Sequence, residues 1–213
     1  VGDAGRQAVA VSVVIAIVAV NVVVSLFGFR ALRQGAGKAE AFLFIPHQVA
    51  QGANGLGMLR SHVSHSGLPH LLFNMLALSS FAGTVLHAVG PARFLLIYVV
   101  AGLGSDLVIF ALRKDDPEYR CLGASGSVFG IVMAAVTLDP TTSITLFLIP
   151  VPIPGPVFML GYGVISVVLI MQKRRGGVSH EGHLGGALVG LAVTGLLAPR
   201  GLGPLLRWFA QWM

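Results

Sequence analysis

Residues 68–112 read LPHLLFNMLALSSFAGTVLHAVGPARFLLIYVVAGLGSDLVIFAL, two apolar runs broken at Gly90-Pro91-Ala92-Arg93. A helix needs ~20 mostly apolar residues to cross the hydrocarbon core of a bilayer. Each run meets that length, so the stretch reads as two membrane spans, about 68–89 and 93–112, joined by a tight turn. Among the groups in it that are costly in lipid are His70, Asn74 and Asp106. His70 and Asn74 are four apart, hence on one helix face, and that face must point into protein.

The same pattern continues on both sides. Upstream, Ala8 to Phe29 is rich in Val and Ile. These residues favour strands in water, but a lone strand in lipid leaves its backbone unpaired, so helix is expected. Downstream, spans are expected over about 123–138, 157–171 and 182–198. The run 123–138 is short for a crossing, which predicts that it starts below the membrane surface, after a loop that dips inward. The connector Arg30 to Ser66 carries Arg30, Arg33, Lys38, Glu40 and Arg60 around the apolar patch Phe42 to Ile45, and should lie in the interface. Pro150, Pro152, Pro154 and Pro156 alternate with other residues, which excludes helix and favours an extended path. The expectation is an all-α membrane protein. It is one domain over 1–213, a six-transmembrane-helix bundle with an interfacial loop between spans one and two.

Composition agrees. Of 213 residues, 55% are hydrophobic and only 10% charged, and mean hydropathy is +0.84. Soluble domains carry about a quarter charged residues. The net charge of +6 comes from 14 basic residues in the segments between apolar runs, where anionic headgroups are the natural partners, and nucleic acid is not expected. Cys121 is the single cysteine, so no internal disulfide can form. Span one is too long for a secretory signal and lacks a small-residue cleavage pattern, and the start Val1-Gly2-Asp3 reads as a trimmed terminus.

Polar residues inside the apolar runs are the functional candidates. Gly123-Ala124-Ser125-Gly126 opens span four, with Gly126 and Gly130 at helix-packing spacing. Packing alone accounts for those glycines. A serine at a loop-to-helix junction can also act as a nucleophile beside free backbone N–H groups that stabilise an oxyanion. His183 opens span six, with Gly186 and Gly190 beneath it on the same face. If span four is the neighbour, His183 can reach Ser125 and take its proton. His70 and Asn74 serve either as interhelical hydrogen-bond partners or as oxyanion donors. His70, Ser125 and His183 all lie near the starts of spans two, four and six, which run in the same direction, so they share one depth. His62, His65 and His180 read as wetted rim or cap residues, with a metal site built from them as the minor alternative. Asp106 is expected to cap a helix or pair with a buried donor. A small transporter is the contrasting reading, but it calls for polar groups on several mid-span faces.

The strings His70-Leu71-Leu72-Phe73-Asn74-Met75, Gly123-Ala124-Ser125-Gly126 and His183-Leu184-Gly185-Gly186 with Gly190 resemble the rhomboid family of intramembrane serine proteases. Arg93 to Tyr98 and Ile149 to Pro154 also look like bacterial members. The resemblance implies a Ser125–His183 dyad without an aspartate, and an oxyanion held by His70, Asn74 and the Ser125 N–H. It further implies that Phe129 packs on the histidine and that Gly123 keeps the oxyanion loop narrow. Substrates would be transmembrane segments of other proteins within the lipid bilayer, with no cofactor and no metal. The location implied is a bacterial plasma membrane. The alternative within the family is a non-catalytic, client-binding protein, which typically lacks the serine or the histidine. The connector departs from the family in having no tryptophan. The family's orientation would put Arg6, Arg93, Arg200 and Arg207 inside. It would leave Arg30, Arg33, Lys38, Arg60, Arg113, Lys114, Arg120, Lys173, Arg174 and Arg175 outside, against the positive-inside rule.

Overall fold

The computed structural model describes residues 3–146, 149–172, 177–211 and 213. The basic run Lys173-Arg174-Arg175 lies outside the described residues. The chain is mostly helical. Helix α1 spans Asp3–Arg33, and the connector folds into α2 (Ala36–Ala39), a 3-10 turn (Glu40–Phe42), α3 (Pro46–Ala50) and α4 (Gly55–Ser61). Then follow α5 (Leu68–Arg113) and α6 (Ser125–Leu138), strands β1 (Ser143–Leu146) and β2 (Ile149–Pro154), and helices α7 (Gly155–Met171), α8 (His180–Leu197) and α9 (Gly203–Ala210).

The stretch that opened the reading is a single element broken at Gly90, whose φ of 80° and ψ of 169° are non-helical and which is followed by Pro91. Only glycine adopts that backbone readily, and proline cannot continue the preceding helix. Unbroken, 46 residues would reach about 70 Å. Yet His62, just ahead of α5, bonds Asp106 near its far end. The chain therefore turns back at Gly90, giving two arms of about 33 Å each, enough for the ~30 Å core.

Helix α6 is the centre. Gly126, Ser127, Val128 and the run Gly130 to Thr137 are buried, between the second arm of α5 and α8. Small residues make this possible. A β-carbon at Gly190 would lie 2.6 Å from Gly130 O, and one at Gly130 would lie 3.2 Å from Gly186 O, so the α6 and α8 backbones touch. The outer surface is apolar instead: Leu107 is 69% exposed, Val164 65% and Ile15 61%, with many neighbours like them. A water-soluble protein does not present so much contiguous apolar surface, whereas lipid requires it. Among the described residues, Gln7–Arg33 and Leu68–Arg113 are long and apolar enough to cross a membrane, while α6 and α7 are shorter apolar helices.

One expectation is corrected here. The chain is not all-α, because the proline-alternating segment is a strand. It pairs antiparallel with β1 in the register Ser143↔Pro154, Ile144↔Ile153 and Leu146↔Ile149, with an irregularity between Ile144 and Leu146. Proline has no N–H to donate, so a two-stranded ribbon with two free edges tolerates what a central strand would not. Pro156 is not part of the extended path; it sits in the first turn of α7, where its missing N–H costs nothing. The start of α8 is tied to the end of α5. Arg113 donates to the Glu181 carboxylate through Nε at 2.7 Å and through Nη2, and Tyr119 Oη lies 2.7 Å from Ser179 Oγ. Ser179 in turn caps α8 by accepting from the Gly182 N–H at 3.1 Å.

Candidate active site

Ser125 is the first residue of α6, and Ala124 before it offers no side-chain cap. The Val128 N–H to Ala124 carbonyl bond (2.9 Å) starts the helical ladder, so the amides of Ser125, Gly126 and Ser127 precede its first rung. His183 stands in the first turn of α8, and its Nε2 lies 2.7 Å from Ser125 Oγ. The glycine contacts between α6 and α8 set this distance by letting the two helices meet without intervening side chains.

The histidine is held on its other sides. Phe129 stacks on it, with centroids 4.6 Å apart and planes at 23°. Tyr162 of α7 also stacks on Phe129 at the same separation and angle, its ring centroid is 6.5 Å from that of His183, and its Oη is 2.9 Å from His183 Nδ1. When Nε2 accepts from the Ser125 hydroxyl, Nδ1 carries the ring proton and donates to Tyr162 Oη. Tyr162 was missed by sequence reasoning. Its signal was a hydroxyl in the apolar run 157–171, shared there only with Ser166, which in lipid needs a partner.

Gly123 adopts φ of +137°, which disfavours any other residue. Its missing side chain makes room for His70: a β-carbon there would lie 2.9 Å from His70 Nε2 and 3.5 Å from Ser125 Oγ. The His70 Nδ1 accepts from the Ser66 N–H at 3.4 Å and lies 3.1 Å from Ser66 Oγ. A backbone N–H can only donate, so the proton of the neutral ring is on Nε2, which faces the Gly123 loop as a donor. Asn74 is buried, and its amide donates to the His70 carbonyl at 2.9 Å, leaving its second N–H free. Thus Ser125, His183, His70, Gly123 and Phe129 converge directly, and Asn74 lies one turn below His70.

His65 is not a rim residue, and His62 is a paired rather than a free one. His65 is fully buried; its Nδ1 is 2.9 Å from Ser25 Oγ of α1, and its ring meets His70 edge-on at 4.9 Å. Burial foremost, and then the neighbouring His70, pushes the His65 pKa down to about 3, so the ring is neutral. His62 Nε2 pairs with Asp106 Oδ2 at 2.7 Å, which gives the aspartate its buried donor. Nothing in the spacing of the connector marked His65 as buried or His62 as paired, because the segment has no helical or strand period.

Such an arrangement, a serine hydroxyl against an imidazole with donors across a glycine loop, is suited to acyl transfer inside a helical membrane protein. The chain belongs to the rhomboid family: the Rhomboid domain model matches residues 52–200. Presenilin-associated rhomboid-like protein, mitochondrial, of Mus musculus is 30% identical over 141 residues, covering 63% of this chain and 36% of its own length. Rhomboid protease GluP of Bacillus subtilis is 31% identical over 143 residues, covering 66% and 25%. RHOMBOID-like protein 12, mitochondrial, of Arabidopsis thaliana is 28% identical over 149 residues, covering 62% and 43%. The chain thus spans less than half the length of these curated relatives.

Proposed function

We propose that this protein is an intramembrane serine endopeptidase that cuts transmembrane segments of other membrane proteins by a Ser125–His183 dyad. The observation that carries this reading is the 2.7 Å contact between His183 Nε2 and Ser125 Oγ at the free N-terminus of α6. One relative bears the name of a rhomboid protease. In the proposed cycle, His183 takes the Ser125 proton as Oγ attacks a backbone carbonyl of an unwound substrate helix. The new oxyanion is met by the Ser125 N–H, His70 Nε2–H and the free N–H of Asn74. His183 then protonates the leaving amine, and water hydrolyses the acyl-enzyme by the reverse route. No metal or organic cofactor takes part.

The proposal includes six crossings: α1, the two arms of α5, α6, α7 and α8, with the connector of α2 to α4 in the interface. It keeps the family's orientation, active side outward. A bacterial plasma membrane is the proposed setting on the strength of the Bacillus relative, and the relatives named as mitochondrial make an organelle membrane the contrasting one.

The test is a fluorophosphonate probe applied alongside a transmembrane reporter in detergent. The expected result is cleavage of the reporter, blocked by the probe, with the probe attached to Ser125 by peptide mapping. A folded protein that is inert to the probe and to a panel of reporters would sink the protease reading.

A smaller effect is expected at Tyr162. In Tyr162→Phe the stacking on Phe129 survives, but His183 Nδ1 loses its acceptor and with it the preferred tautomer. Turnover should fall about 10-fold, a fraction of the loss expected when a strong charged orienter is removed, with KM little changed. A variant at wild-type kcat would show that the tautomer is set some other way.

A further inference from the structure

We infer that Asp106 and His62 form a positioning tie that holds the oxyanion side of the candidate site in register. The inference rests on the protease reading for its kinetic consequence, but not for its geometry. Residues 61–66 carry a cluster of contacts on the groups opposite Ser125. The Ser61 carbonyl accepts from the Gly123 N–H at 2.9 Å, so it fixes the loop whose φ is +137°. Ser66 N–H and Oγ engage His70 Nδ1, and the His65 ring abuts His70 edge-on. The end of α4 and the short irregular stretch that follows it thereby set both the narrowness of the Gly123 loop and the tautomer of His70.

Irregular backbone has no ladder of its own, so its place is fixed by what ties it to rigid elements. Side-chain ties do this: Ser25 on α1 bonds both His65 and the Val63 carbonyl (3.4 Å), Ser66 bonds His70, and His62 bonds Asp106 on α5. The His62–Asp106 tie reaches the helix that packs directly against α6. Asp106 is 8% exposed, and a lone carboxylate there would be costly; it persists because His62 Nε2 donates to it at 2.7 Å. The ring is closely seated: a β-carbon on Gly102, one turn before Asp106, would clash first with Ser127 Oγ and would also come within 3.3 Å of His62 Cε1 and Nδ1. His62 immediately follows Ser61, so displacing His62 displaces the carbonyl that holds Gly123. Asp106 touches neither Ser125 nor His183; it acts through the connector.

The experiment compares wild type, Asp106→Ala, Asp106→Asn and His62→Gln in two readouts. One is kcat and KM on a transmembrane reporter; the other is hydrogen–deuterium exchange at the Gly123 amide. Asp106→Ala should lower kcat about 10- to 100-fold, with KM within about twofold, as expected for ångström-scale misplacement of transition-state donors. The Gly123 amide should exchange about 10-fold faster. Asn at 106 and Gln at 62 each keep one hydrogen bond across the pair and should remain within about threefold of wild type in both readouts. Should Asp106→Ala fail to fold, the paired change His62→Leu with Asp106→Leu removes the tie without stranding a charge, and the same kcat loss is expected. Wild-type kcat and Gly123 protection in Asp106→Ala would overturn the inference, as would an Asn variant that falls as far as Ala. A wild type that neither cleaves nor takes the fluorophosphonate sinks the protease reading instead, and the Gly123 exchange then decides the tie alone.

Discussion

Ser125→Ala and His183→Ala are each expected to remove reporter cleavage by about 10⁴-fold or more in kcat, and the double variant is expected to be no worse than either alone. The reason is that the two groups act on one proton. Without His183 the Ser125 hydroxyl loses its base, since among the described residues its side-chain hydrogen bond is to His183 Nε2 at 2.7 Å. Without Ser125 the imidazole has no nucleophile to activate, and a water in its place lacks both the position and the free α6 amides aimed at the attacked carbonyl. Residual activity, if measurable, comes from the oxyanion donors and substrate binding alone. The measurement is single-turnover cleavage with purified variants whose fold is checked by thermal unfolding. Substantial cleavage by folded Ser125→Ala would sink the dyad, and additive losses in the double variant would show that the two residues do not share a step.

How much of this could be read from residues alone depended on whether the lipid forced the issue. Ser125, His183 and His70 were legible because polar groups near span starts in so apolar a chain demand partners, and because Gly126, Gly186 and Gly190 told which helices could approach. The break at Gly90-Pro91 was legible for the same local reason that makes it a turn. Pairings across the fold were not. Tyr162 reaching His183 spans 21 residues, and His62 reaching Asp106 spans 44; neither leaves a periodic trace in the sequence. The prolines of β2 excluded helix but could not name β1 as a partner, since Ser143–Leu146 is too short to stand out by composition. The connector misled most. Its histidines look solvent-facing by residue type, yet His65 is sealed under α1 by Ser25, a hydroxyl in the middle of a Val-rich run.

The second large effect is expected from Gly186→Leu, which should prevent native folding. A β-carbon at Gly186 would lie 2.6 Å from the carbonyl carbon of Gly126 and 2.8 Å from its Cα. Those are backbone atoms, so no rotamer change relieves the clash, and the helices themselves must part. Even Gly186→Ala should cost about 1–3 kcal/mol of stability. It should also lower kcat by about 100-fold, because Ser125 precedes Gly126 and His183 lies one turn before Gly186. Separation of these two backbones is therefore separation of the nucleophile from its base. Gly161 of α7 provides the contrast, with nothing within 4 Å of a β-carbon there. Gly161→Ala removes a flexible residue from a helix interior and should leave cleavage intact while stabilising by up to about 1 kcal/mol. Thermal unfolding in detergent together with reporter cleavage reads both variants. Gly186→Ala matching Gly161→Ala in stability and turnover would mean that the α6–α8 contact is looser than its geometry, and that something other than these glycines holds His183 against Ser125.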